Sequence, residues 1–398
     1  LRDRAPGQNT INDRCAAKAI TDADAIQRFR EWEAAGGPVV EEAKYGDAIV
    51  PVVGTPPKEL QARHFHRDID TTWRRTSYSG LVRSAQETAG VSSEPEVIEL
   101  DDEVADLPLL SPSAGADLPS PMADLPKGAK FGSLVHAVLE NADPMAADFH
   151  AELSAQIDKQ SLWWPVDVPT EELAEALLPL HDTPLGPLAG DLTLRQIPLS
   201  DRLCELDFEF PLAGGDLREQ VPDVRLADVG RLLARHISAE DPLAPYVDRL
   251  CDATVGHQPL RGYLSGSIDV VLRIPDGPDR RYVVVDYKTN WFGESDRPLT
   301  AADYNAERMA EAMLHSDYPL QALLYSVVLH RFLRWRQPGY DPERHLGGVL
   351  YLFLRGMCGP DTPVSDGQPA GVFGWRPPAE LVCALSDLLD GRTGAGAA

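Results

Sequence analysis

Residues 261–291 read RGYLSGSIDVVLRIPDGPDRRYVVVDYKTNW, from Arg261 to Trp291, and the rest of the chain is organised around them. Two strands are expected about the turn Pro275-Asp276-Gly277-Pro278-Asp279, since Asp-Gly between β-rich runs is a strong hairpin signal. In the first strand, period-two alternation puts Leu264, Ile268, Val270 and Leu272 on one face and Ser265, Ser267 and Asp269 on the other. The second strand is Tyr282 to Lys288. Folding the chain about the Gly277–Pro278 bond sets Asp269 opposite Asp286, with Lys288 two residues along on the Asp286 face. Like charges facing each other across strands destabilise a sheet. Such a pair needs a shared proton or, at neutral pH, a bound cation. A solvated hairpin with acids on its exposed face is the bland alternative. The apolar run Val283 to Val285 argues against it, because it reads as a strand buried on both faces, where acids require partners.

The same residues carry a family resemblance. Gly266-Ser267-Ile268-Asp269, a turn, then Val285-Asp286-Tyr287-Lys288-Thr289-Asn290-Trp291 resembles the PD-(D/E)xK nuclease superfamily, in the form found in RecB-type helicase–nucleases. Lys130 to Glu140 resembles that family's Gly-x-x-x-His helix through Gly132 and His136, and Tyr318 to Tyr325 its Gln-x-x-x-Tyr helix through Gln321 and Tyr325. Gly347 to Gly356 is similar to its late strand, and Arg75 to Leu81 to the segment that opens the nuclease domain. The motifs keep the family's order over residues 70–360 and resemble the RecB C-terminal nuclease domain in particular. Ile268 stands where the superfamily's name has Pro, and Asp286 where it has Glu; both departures agree with the RecB subgroup.

The resemblance implies a restriction-endonuclease-like α/β fold and hydrolysis of DNA phosphodiesters to 5′-phosphate and 3′-hydroxyl ends. It implies Asp269, Asp286 and Lys288 as catalytic residues, and a metal held by His136, Asp269, Asp286 and the Tyr287 main-chain carbonyl. The ion implied is Mg2+; the choice among Mg2+, Mn2+ and a bound but inhibitory Ca2+ stays open. The implied partners are DNA, RecC-like and RecD-like subunits and a RecA-like recombinase, in a machine that processes double-strand breaks for recombination.

Composition bounds this picture. The 398 residues allow one large or two modest domains, and the start at Leu1 reads as a fragment or a processed chain. Residues 1–30 lack a signal-peptide pattern and no long apolar run appears, so a soluble, cytoplasmic protein with no membrane role is expected. Cys15, Cys204, Cys251, Cys358 and Cys383 have neither zinc nor disulfide spacing and read as reduced, buried thiols, which argues against an iron–sulfur staple. No Gly-x-x-x-x-Gly-Lys-Ser/Thr loop is present, so the chain is not an ATP-driven motor by itself. A net charge of −25 opposes tight duplex binding, which depends on Lys and Arg. Delivery of the strand by a motor or partner subunit removes that difficulty.

The expected organisation follows from these readings. Residues 1–70 are the tail of a helicase region or a linker, with a helix at Asp22 to Ala34, a short strand at Ile49 to Val53, and surface histidines at His64 and His66. Residues 71–126 open the nuclease and then form an acidic, Pro-rich, flexible linker from Val91 to Pro126. The nuclease domain proper spans 127–390, a central mixed sheet flanked by helices, and 391–398 is a flexible tail. His136 and Glu140 share a helix face one turn apart. Trp163 and Trp164 read as core or interface packing residues rather than a base-stacking platform. Glu205, Asp207 and Glu209 share one face of an expected strand from Leu203 to Pro211, either a solvated face or, as Glu205 resembles an acidic position of the family, one where Glu205 helps a second cation. By the resemblance, Gln321 and Tyr325, which would otherwise read as ordinary surface residues, are expected to reach together toward a phosphate or Lys288, and Arg355 is expected to contact the DNA backbone or to pair with an acid. Two competing functions remain: a catalytically weak DNA-guiding or subunit-docking scaffold, and a stand-alone DNA-end exonuclease.

Overall fold

A computed structural model describes residues 21–41, 73–81, 115–216, 223–294, 297–365 and 367–392, and the chain divides into two units, Leu1–Asp68 and Ile69–Ala398. The strand expected at Ile49 to Val53, together with His64, His66 and Cys15, lies outside the described residues, as does residues 91–114 of the expected linker. In the first unit, helix α1 (Asp22–Ala34) starts at Thr21, whose side chain caps the Asp24 amide in a capping box. Its apolar residues Ile26, Phe29 and Trp32 remain exposed.

The second unit runs β1 (Arg74–Thr76), α2 (Ala129–Asn141), α3 (Phe149–Gln160), α4 (Thr170–Asp182), β2 (Arg202–Pro211), α5 (Leu226–His236), β3 (Gly262–Asp276), β4 (Asp279–Lys288), α6 (Ala306–His315), α7 (Tyr318–Arg336), β5 (Leu346–Phe353), β6 (Val372–Trp375) and α8 (Ala379–Leu389). These form a mixed sheet in the order β1-β3-β4-β5-β6, with β2 also on β3. The β3–β4 hairpin has the expected register, from Val270↔Val285 to Asp276↔Asp279. Its tight loop needs Gly277, which sits at φ +57°, where a side chain is disfavoured. β4 then lies parallel to β5, with Asp286 beside Tyr351.

The apolar run of β4 is buried on both faces. Val284 enters one hydrophobic core, beneath α5, α7 and α8, while Val283 and Val285 enter the other, beneath α2, α3 and α4. One expectation fails here. Leu264 and Ile268 join the first core, but Val270 and Leu272 join the second, so the four do not share a face. The phase flips at Asp269. On β2, Leu206 and Phe208 likewise pack on the first core and Cys204 on the second. The flanking pairs Cys204↔Val270 and Leu206↔Ile268 set Glu205 opposite Asp269, and Glu205 has φ +45°, a strained value for a residue with a side chain. A flip on both strands together leaves the register unchanged while turning over the alternation at the acidic rung.

Residues 115–126 do not follow the expectation of a flexible linker from Val91 to Pro126. Ser120, Met122 and Leu125 are buried, the last two within the second core, so residues 115–126 belong to the folded unit. Cys204, Cys251, Cys358 and Cys383 are free thiols, but none is fully buried and Cys251 is exposed. Among the described residues, no helix is long and apolar enough to cross a membrane.

Candidate functional site

β4 delivers its last residues to the edge of a cleft of about 540 Å3. Asp286 and Lys288 are almost wholly buried there, and Lys288 Nζ lies 2.9 Å from Asp286 Oδ2. Asp269 reaches the same place from β3, accepting the Tyr287 main-chain N–H at 2.8 Å. The hairpin thus places its two aspartates in one cleft, on adjacent strands.

His136 arrives from the far side on α2. The helix buries Phe131, Leu134, Val135, Val138 and Leu139, leaving His136 and Glu140 on the cleft face. Gly132 permits the approach: a Cβ at this position would sit 3.1 Å from the Thr289 hydroxyl, just beyond the end of β4. His136 Nδ1 lies 3.5 Å from Asp269 Oδ2, with its ring edge-on to Tyr287 at 5.8 Å between centroids. Glu205 completes a row across the sheet, Glu205–Asp269–Asp286, and accepts the Ser267 hydroxyl at 2.9 Å.

Electrostatics follow from this crowding. The cleft is lined by Glu140, Glu205, Asp269 and Asp286, against Lys288 and His136. Burial disfavours a charged imidazole, yet the Asp269 and Asp286 carboxylates lift the His136 pKa to about 9. Asp269 also resists ionisation through burial, but His136 and the Tyr287 amide bring its pKa below the usual value. Burial, then the neighbouring Asp269 charge, raises the Glu140 pKa. Glu205 is raised by burial and by Asp269 and Glu140, against the Ser267 hydrogen bond. Surplus acid in a confined space is the electrostatic signature of a cation site. Among the described residues, no three His, Cys, Asp or Glu side chains already form a metal-ready group. Asp286 is turned onto Lys288, and Asp269 onto His136 and the Tyr287 amide. By chemistry the donors fit a hard divalent ion: carboxylate oxygens with one imidazole, and no thiolate among them.

The other expected residues divide. Tyr325 lines the cleft, but Gln321 sits behind it, 1 % exposed, its amide donating to the Tyr325 hydroxyl at 3.1 Å and accepting from Tyr351 at 2.9 Å. Arg355 does not reach solvent, where DNA would meet it. Its guanidinium is wholly buried and donates to the carbonyls of Thr289, Met122, Leu125 and Pro126. It joins the approach to α2 with the end of β4. Glu209 turns away to Arg75. Trp163 is 76 % exposed and so is not packed in the core, whereas Trp164 is half-buried and lines the cleft. Sequence reasoning missed Tyr318 and Tyr351, which surround Lys288. Signals for both existed: Tyr318 stands one turn before Gln321, and Tyr351 lies mid-strand in an apolar run.

Comparison with known proteins finds RecB subunits as relatives. The chain is 64% identical over 393 residues to the RecBCD enzyme subunit RecB of Mycolicibacterium smegmatis, covering 98% of this chain and 36% of that protein. It is 62% identical over 399 residues to the subunit of the same name from Mycobacterium tuberculosis, covering 98% of this chain and 35% of the relative. The Escherichia coli RecB subunit is 29% identical over 350 residues, which is 84% of this chain and 25% of that protein. The chain thus spans about a third of the length of the first two relatives. No family model matches it.

Proposed function

Starting from the fact that this chain is of the RecB type, we propose that it is a metal-dependent DNA nuclease module working within a RecBCD-type helicase–nuclease. The observation that carries the reading is the convergence of His136, Asp269, Asp286 and Lys288 in one cleft from three separate elements. His136, Asp269, Asp286 and the Tyr287 carbonyl hold a divalent cation, taken to be Mg2+. When bound, that ion polarises the scissile phosphate and lowers the pKa of a coordinated water. Lys288 supplies a fixed positive charge beside the developing negative charge on phosphorus, where a confined, water-poor site makes it most effective. Glu140 and Glu205 add to the negative potential that draws the cation in. Tyr325 faces the strand, and Gln321 fixes the Tyr325 hydroxyl from behind.

The relatives' name supports RecC-like and RecD-like partners and DNA as substrate; a RecA-like recombinase rests on the family resemblance alone. The chain's acidity fits a module to which a motor delivers the strand. Incubation of the chain with single-stranded DNA and Mg2+ tests the reading. Cleavage to 5′-phosphate ends by the unmodified chain, absent in Asp286→Ala, is the expected result. Equal, background-level products from both proteins would instead identify a docking scaffold.

A further inference from the structure

We infer that Tyr318 is a positioning residue for Lys288, its ring face holding the ammonium at the cleft floor; this rests on the reading that Lys288 serves the chemistry. Lys288 Nζ lies 4.3 Å from the Tyr318 ring centroid and 5.8 Å from that of Tyr351. The two rings are stacked at 5.5 Å with 20° between their planes, so the ammonium rests against a preformed aromatic wall.

The wall is built to stay put. The Tyr351 hydroxyl, its one proton shared between Gln321 Oε1 at 2.9 Å and the Tyr318 carbonyl at 3.1 Å, brings β5 to the start of α7. Asp317, just before Tyr318, is held at φ +55°, a conformation that a non-glycine residue keeps only when its surroundings demand it. Those surroundings are tight: Asp317 is 4 % exposed, accepts the Tyr246 hydroxyl at 2.9 Å, and takes two Arg249 bonds at 3.3 Å. The Tyr78 hydroxyl anchors the neighbouring Ser316 carbonyl at 2.9 Å.

A ring suits this task better than a second carboxylate. Lysine has a long, freely rotating stem, and its close carboxylate partner Asp286 is the group that a bound cation claims. As that carboxylate's charge is shared with the ion, its hold on Lys288 weakens. An aromatic face attracts an ammonium without offering a competing metal ligand and without using up its N–H donors. Tyr318 therefore keeps Lys288 in place when Asp286 is engaged elsewhere.

Steady-state cleavage of single-stranded DNA by the full chain, with Tyr318→Phe, Tyr318→Leu and Lys288→Met, tests the inference. Tyr318→Phe keeps the ring and is expected near the wild-type kcat. Tyr318→Leu is expected to lose kcat about 30-fold at unchanged KM, which corresponds to ~2 kcal/mol for a desolvated cation–π contact. Adding Tyr318→Leu to Lys288→Met should cause no further loss, since the effect passes through the lysine. In metal-free protein, acylation of Lys288 followed by peptide mass spectrometry should run faster in Tyr318→Leu than in wild type or Tyr318→Phe. A Tyr318→Leu enzyme with wild-type kcat, equal losses in the Phe and Leu variants, or a further drop in the double variant overturns the inference. Full activity in Lys288→Met overturns instead the role of Lys288 on which it rests.

Discussion

The Asp286–Lys288 pair places opposite charges 2.9 Å apart with both side chains about as buried as the core. Two charges removed from water recover little net stability, but removing one strands the other at a cost of about 3–5 kcal/mol. Asp286→Ala and Lys288→Ala should therefore each fold with a lowered Tm and lose at least ~100-fold in cleavage rate. The paired variant Asp286→Asn/Lys288→Met should regain the Tm without the rate, which separates chemistry from folding in one melting series. A second residue contributes to the pH dependence of the fold. His181 is 1 % exposed, packed edge-on to Phe149, with Nδ1 2.9 Å from the Leu177 carbonyl. Burial, with Arg202 and Arg195 nearby, pushes its pKa down to about 3 despite that hydrogen bond. A folded-state pKa below the ordinary 6.5 means that the unfolded chain binds more protons between these values, so stability falls as pH drops through that window. Urea midpoints from pH 7 to pH 4 should fall in wild type and fall less steeply in His181→Gln.

At the scale of elements, the site depends on how closely α2 approaches β4. Gly132 faces the Thr289 hydroxyl with room for a hydrogen but not comfortably for a methyl. Gly132→Val should displace the helix, carry His136 away from Asp269 and reduce cleavage with the circular dichroism spectrum retained; Thr289→Ala in the same chain should restore part of the rate. β2 supplies a different case. Glu205 is strained at φ +45° and sits opposite a like charge at Asp269. Glu205→Gly removes both costs, so the metal-free variant should melt higher than wild type, with a gain of about 1 kcal/mol from backbone relief. Calorimetry of Glu205→Gly against Glu205→Ala checks this, because alanine removes the charge but keeps the strain.

Over the whole molecule, Arg355 is the joint between the two sides of the site. Its guanidinium lies over the rings of Phe131 and Trp291 as it binds carbonyls before α2 and after β4. Each hydrogen bond to a charged donor contributes about 1.5–3 kcal/mol, so Arg355→Met should destabilise by more than ~3 kcal/mol. The damage should be directional: limited proteolysis should open residues 115–126 before the β3–β4 hairpin. Intact peptides from that segment under conditions that cut wild type equally would count against the joint.

Much of this was legible along the chain because it is local. The turn at Gly277–Pro278 determined the hairpin register, the apolar run Val283–Val285 announced a strand buried on both faces, and helical spacing put His136 and Glu140 on one side of α2. Relations between distant segments were not legible. The phase flip at Asp269 is matched by a strained residue in β2, residues 115–126 are held by an arginine more than two hundred residues away, and the ring over Lys288 comes from the start of α7. Periodicity reports which way a side chain points from its own strand or helix; only packing decides what it meets.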